Sequence, residues 1–219
     1  MVKQLFKRDY PSYTMKEKYK LYDIKTIGYL DIETSGLTAD FDIMLSWANC
    51  IRDVATGKTK VEFDHMEKKD LEFAYKKKDA DLADRDIVLS VIDSMKQCDL
   101  LIGHWFIGKH RHDIPFIRAR CAINRVPGFP KHRQIRYGDT QKWSSLLYRI
   151  HSNSLDSDAR MFNLSIRKTP VDGKTWKNAC IGIPEAIKEV VDHNIIDVKL
   201  THKVHLGMEE YVPIPATYA

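Results

Sequence analysis

The chain has 219 residues, of which 43% are hydrophobic and 30% charged, and a net charge of +5. That composition supplies one large core and excludes a disordered tail or a disulfide-dense miniprotein. No apolar run reaches the ~18 residues of a membrane span, and the N-terminus (MVKQLFKRDY) lacks a secretory hydrophobic stretch. Cys50, Cys98, Cys121 and Cys180 form no CxxC pair, which suits a reducing cytoplasm.

Residues 1–25 are basic, carry Tyr10, Tyr13, Tyr19 and Tyr22 without periodicity, and read as an extended N-terminal arm. Its tyrosines either pack on the domain or stack on bases. Thr26–Glu33 (TIGYLDIE) and Ile43–Ile51 predict strands. The turn Ala55-Thr56-Gly57-Lys58 leads into a third strand, Thr59–Phe63, so the second and third form a hairpin. Glu67–Asp81 mixes charges of both signs and predicts an exposed loop or helix. Asp84–Gln97 places Ile87, Val91, Ile92 and Met95 at helical spacing. Asp99–Gly103 predicts a short buried strand, and Pro115–Asn124 a helix led by proline. A Pro/Gly loop at 126–131 precedes a short strand, Ile135–Gly138. Thr140–Ile150 and Leu155–Phe162 predict helices, the second capped by Asn153 or Ser154. Thr169–Lys174 reads as a turn-rich loop. Pro184–Leu206 predicts a long helix with Ile187, Val191, Ile195 and Val198 on its buried stripe. The order of strands and helices predicts an α/β fold with a mixed sheet over residues 26–210, followed by an extended tail at 211–219.

Charge is unevenly spread. From Lys109 to Arg136 there are eight basic residues and one acid, Asp113, so this segment is +7 and the rest of the chain −2. Such an excess attracts phosphates, and it equally suits a solvated helix and loop.

The acids carry the chemistry. Asp31 and Glu33 lie two apart on a predicted strand, so both carboxylates share one face, opposite Leu30 and Ile32. Adjacent acids repel unless a cation or proton sits between them. A strand end reaching solvent has the same pattern. His193 and Asp197 are four apart on the last predicted helix and share a face, as an ordinary surface pair also would. Asp113 before Ile114-Pro115 can cap a helix.

Taken together, these residues resemble the DEDD superfamily of 3′–5′ exonucleases. DIETSGL at Asp31–Leu37 resembles that family's first motif, D-x-E-T-x-G-L. LIGHWFIGKHRHDIPFIRAR at Leu100–Arg120 resembles the second, and HNIIDVKLT at His193–Thr201 the third. Tyr137–Trp176 is similar to stand-alone exonucleases related to the proofreading domains of family B DNA polymerases. The chain departs from the pattern at three places. About four extra residues separate Gly103-His104 from Asp113; Trp105 and His112 stand where Asn and Phe are common; and His193 occupies the tyrosine position of the third motif.

The resemblance implies an RNase H-like fold and a two-metal 3′–5′ exonuclease that releases nucleoside 5′-monophosphates from single-stranded DNA. Asp31, Glu33, Asp113 and Asp197 would hold two Mg²⁺ or Mn²⁺ ions. His193 would orient or deprotonate the attacking water, or hydrogen-bond beside it while the metal activates the water. Thr34, Ser35, Leu37, His104, Trp105, Arg118, Lys174 and Trp176 are the expected nucleic-acid contacts. Arg118 and Arg120 could hold phosphate, Lys168 lies with Lys174 and Trp176 in a stretch suited to gripping a single strand, Trp176 could instead pack in the core, and Asp139 could join the acids or cap a helix. His104, His110, His112 and His132 lack zinc-site spacing. The expected partners are single-stranded DNA 3′ ends and replication or repair proteins, in the cytoplasm of a bacterial, archaeal or phage-infected cell. The alternatives are a 3′–5′ exoribonuclease, a catalytically weak nucleic-acid-binding module of the same fold, and a docking subunit of a polymerase or helicase.

Overall fold

The computed structural model describes residues 13–77, 82–108 and 111–215, without the side chains of 73–77. Five strands form one sheet: β1 (Thr26–Thr34), β2 (Met44–Asp53), β3 (Thr59–His65), β4 (Leu100–Gly103) and β5 (Arg136–Asp139), in the order β3-β2-β1-β4-β5. β1, β4 and β5 are parallel, while β2 and β3 run antiparallel to their neighbours. This is the mixed α/β sheet that the strand pattern predicts, and it is consistent with an RNase H-like fold.

Helices cover both faces. α3 (Arg85–Met95) and α4 (Asp113–Ile123) pack on the face that carries Leu30 and Ile32. α5 (Thr140–Leu147), α6 (Leu155–Met161) and α8 (Pro184–Met208) pack on the face that carries Ile27 and Tyr29. The remaining helices are α1 (Met15–Leu21), α2 (Lys68–Lys77) and α7 (Gly173–Cys180). Alternation along β1 divides the two cores, each fully buried aliphatic contributing about 1.5–3 kcal/mol.

Some boundaries differ from expectation. Residues 1–12 and 216–219 lie outside the described residues, but Thr14 and Glu17 form a capping box that starts α1, and Tyr19 is buried. That part of the N-terminal segment is therefore a docked helix. α5 ends at Leu147, where Tyr148 turns extended and sets its ring edge-on to Phe162. α7 forms where a loop was expected to end, because Asp172 caps it by accepting from Thr175 N.

Parallel pairing puts the C-terminal ends of β1, β4 and β5 along one edge of the sheet, where ligands of open α/β sheets bind. α8 crosses this sheet antiparallel to β1. Tyr29 meets His205 at 2.8 Å, Asp31 meets Asn194 at 2.6 Å, and Glu33 faces His193 at 3.7 Å. A single strand face is thereby read residue by residue by one helix.

Candidate active site

Three elements bring the acids together. β1 presents Asp31 and Glu33, the first residue of α4 presents Asp113, and the middle of α8 presents His193 and Asp197. Asp113 is 4% exposed, and its Oδ1 accepts from the Ile32 backbone N–H at 3.4 Å, between the two β1 acids. His193 Nε2 lies 3.7 Å from Glu33 Oε1 and 3.7 Å from Asp197 Oδ2.

Two donors not expected among the acids complete the cluster. Asn194 Nδ2 donates to Asp31 Oδ2 at 2.6 Å, and Lys168 Nζ donates to Asp197 Oδ2 at 2.6 Å. Lys168 and its neighbour Thr169 come from the connection between α6 and α7, and Thr169 Oγ1 lies 3.1 Å from His193 Nδ1. Asn194 could have been found in the sequence, since it lies three before Asp197 on the same helical face. Lys168 and Thr169 carry no periodic signal.

The electrostatics follow from crowding four acids around one ammonium among the described residues. Burial and then Asp197 push the Asp31 carboxyl up to about 7, against Lys168 and the Asn194 bond. Burial, Asp31 and Asp197 hold Glu33 well above the usual carboxylate range. Burial and Asp31 do the same to Asp113. Burial works against the Lys168 charge, but Asp197, Asp31 and Glu33 outweigh it and raise its pKa. Burial lowers His193 below the usual imidazole value, with Asp197 opposing. Asp197 Oδ1 and Asn194 Oδ1 are buried without a hydrogen-bond partner among the described residues.

Two loops form the walls. After β4, Asp139 accepts from the backbone N–H groups of Trp105 (3.1 Å), Phe106 (2.8 Å) and Ile107 (3.4 Å), while also capping α5 through Gln141 and Lys142. Gly103 is required here, because a Cβ would lie 2.2 Å from the Phe106 ring. Trp105 takes a left-handed φ of 66° and is 50% exposed, with the Arg111 guanidinium 5.8 Å from its ring centroid. His112 N donates to Trp105 O (3.3 Å), and Asp113 still stands beside β1 despite the extra length of this segment. After β1, Asp42 accepts from Ser35 Oγ and from Thr38 N, and Thr34 Oγ1 donates to Gly36 O. Leu37 and Phe41 project from this loop at 80% and 87% exposure.

The expected site residues therefore divide. Asp31, Glu33, Asp113, His193 and Asp197 converge. Leu37, His104 and Trp105 lie on the flanking loops, with His104 bonded to Thr140 and its imidazole pushed down to about 4 by burial. Thr34 and Ser35 brace their own loop. Arg118 is exposed and sets its guanidinium over Phe129, in the loop that enters β5 from the opposite edge. Arg120 is buried against Asp84. Trp176 packs on the core and Lys174 is exposed on α7. His104 and His112 bond to Thr140 and Thr34 respectively, and His110 lies outside the described residues. Among the described residues, no three His, Cys, Asp or Glu side chains are placed to hold one metal ion. Asp31 and Asp197 are closed by Asn194 and Lys168 instead.

No protein-family model matches this chain, and no curated protein matches it.

Proposed function

We infer that the chain is a metal-dependent 3′–5′ exonuclease acting on single-stranded DNA. The observation that carries this reading is the convergence of Asp31, Glu33, Asp113 and Asp197 from three elements, with one ammonium among the described residues, Lys168, against four acids. Such a cluster is costly to keep unless cations balance it. The donor chemistry suits Mg²⁺ or Mn²⁺, being hard carboxylate oxygens, with Asp197 Oδ1 buried and without a partner among the described residues, although Lys168 and Asn194 hold Asp197 and Asp31 and no three acids stand placed around one ion. Asp31, Glu33, Asp113 and Asp197 would hold two such ions. When bound, they supply Lewis acidity and a water nucleophile at neutral pH.

The chain's own groups do the rest. His193 is neutral near pH 7, and its Nε2 points between Glu33 and Asp197. To accept a proton at Nε2 it must carry one on Nδ1, where Thr169 Oγ1 is the available acceptor. Thr169 Oγ1, able to accept from Nδ1–H, is compatible with the tautomer that can act as a base. Trp105 offers a half-exposed ring and Leu37 an exposed side chain on either side of the acids, suited to a terminal base and sugar.

The test is product analysis with DNA and RNA oligonucleotides of one sequence, in Mg²⁺ and in Mn²⁺. Release of deoxynucleoside 5′-monophosphates from the DNA supports the reading. Release from the RNA alone makes the chain an exoribonuclease. Binding of either strand without product makes it a nucleic-acid-binding module.

A further inference from the structure

The basic segment seen in the sequence lies away from the acids. From Arg118 to Arg136 the chain carries six basic residues and no acid. Two of them have structural partners. Arg120 is buried on Asp84, and Arg136 donates to Pro215 O and lies over the Tyr22 ring. Arg118, Arg125, Lys131 and Arg133 are exposed, and none forms an ion pair among the described residues. Cations gathered in one short segment raise the local potential and attract a polyanion.

The same segment forms a groove. Its Pro/Gly loop lies against the entries to β4 and β5 and leaves a cleft of about 440 Å³, lined by Lys96, Cys98, Phe129, Lys131, Gln134 and Ile135. The Arg118 guanidinium lies 5.1 Å from the centroid of the half-buried Phe129 ring. Gly128 takes a left-handed φ of 90°, and Lys96 Nζ lies 3.0 Å from where a Cβ would stand, so a side chain here would be strained and would crowd the ammonium. Lys96 pairs with Asp93 at 3.2 Å. Asp99 also lines the groove, but its carboxylate is engaged by Lys25 N at 2.8 Å and Thr26 N at 2.9 Å on the β1 side. A guanidinium stacked on a ring suits a base, and the flanking cations suit the phosphates on either side of it. The groove sits at the N-terminal ends of β4 and β5, and the acids at the opposite ends. α4 runs between the two, from Asp113 at the acids to Ile123, and its 11 residues span about 16 Å. A stacked strand advances ~3.4 Å per nucleotide, so one whose 3′ end lay at the acids would reach the groove after about five nucleotides.

We propose that this groove is a single-stranded DNA-binding surface separate from the acid cluster, in which a base stacks beside Arg118 and Phe129 while Lys131 and Arg133 hold the adjoining phosphates. Binding here needs no metal, so it does not depend on reading the acids as a nuclease site.

Fluorescence anisotropy of a labelled single-stranded DNA of about 20 nucleotides tests it, in EDTA, between about 50 and 200 mM salt. Wild type is compared with the triple variant Arg118→Gln, Lys131→Gln, Arg133→Gln. A control removes the same charge elsewhere, through Lys58→Gln, Lys69→Gln and Lys188→Gln, and urea unfolding verifies that each protein is folded. The groove variant binds about 10-fold weaker than wild type or more, and its slope of log K against log salt is shallower by about 2, as three lost phosphate contacts to a single strand require. The control stays within about 3-fold of wild type. Phe129→Leu, which keeps an apolar side chain, binds about 5-fold weaker with the slope unchanged. Equal losses in the groove variant and the control, or no binding by wild type, overturn the proposal, and unchanged affinity in Phe129→Leu overturns the stacked base. If the groove variant behaves as expected but wild type leaves the DNA intact with Mg²⁺ or Mn²⁺, the nuclease reading falls and the groove stands. If the DNA is degraded while the groove variant binds like the control, the groove falls and the nuclease reading stands.

Discussion

His193 is the residue whose chemistry depends most on its neighbours. Its Nδ1 faces a hydroxyl and its Nε2 faces two acids, so substitution at either end has a different signature. Replacing His193 by Ala should lower kcat by about 10²-fold or more with little change in KM, measured on a short oligonucleotide. Because its pKa is lowered, wild-type turnover should hold at neutral pH and fall on the acid side of ~6.5 as the imidazole takes up a proton. A profile that stays flat on the acid side of 6.5 down to the pH of acid unfolding would rule out His193 as a base. Asp31 makes an opposite kind of prediction. Its folded pKa is raised, so ionising it costs folding energy at every pH above its unfolded value of 3.8, and the full cost is present above about 7. Asp31→Asn should therefore raise the unfolding temperature in EDTA at pH 8, and the gain should vanish as the pH approaches 4. Acquiring stability by losing a carboxylate is what a site shaped for cations predicts.

At the scale of elements, two buried acids hold the loops that flank the site. Asp139 was legible as a helix cap, because it precedes a predicted helix. Its second role, binding three backbone N–H groups of the loop after β4, comes from a parallel neighbour strand and leaves no local trace. Asp84 accepts from Met44 N, Arg120 and Asn124, and Arg120 continues to Ala39 O in the loop after β1. Arg120 is 1% exposed, so removing its charge strands a buried carboxylate. Arg120→Met should destabilise the protein by about 3–5 kcal/mol, measured by urea unfolding. A loss below 1 kcal/mol would mean that the pair does not brace this loop. The strands and α8 were legible because alternation and helical spacing are local patterns. The first-motif acids and the His193–Asp197 pair were legible for the same reason. Lys168 and Thr169 lie in a connection with no period, and only the packing of that connection on α8 gives them partners.

Across the whole molecule, α8 binds the site to the rest of the core. Past the acids it buries His202 and His205 against Tyr29 and Trp143, and Glu209 joins Tyr19 of α1 to Arg52 of β2. Burial pushes His202 down to about 4 and His205 to about 3. The unfolded chain binds protons that the folded chain refuses. This stability is complete above the ordinary imidazole value of 6.5 and is lost as the pH falls toward 4 and then 3. Each histidine still neutral contributes a loss of about 1.4 kcal/mol per pH unit. Asp31, Glu33 and Asp113 act in the opposite sense, since their raised values mean that the folded chain takes up protons first. Comparison with His205→Gln isolates the histidine contribution. Its unfolding free energy should fall less steeply than wild type from pH 6 to 4, and equal slopes would contradict the assignment. Among the described residues no helix is long and apolar enough to cross a membrane.

The most direct measurement is degradation of a 5′-labelled single-stranded DNA oligonucleotide by wild type and Asp31→Ala, with Mg²⁺ or Mn²⁺ and with EDTA. A ladder that shortens from the 3′ end, and is abolished by EDTA and by the substitution, is the expected result. Intact oligonucleotide with folded wild-type protein and either metal would contradict the assignment of these four acids to a nuclease.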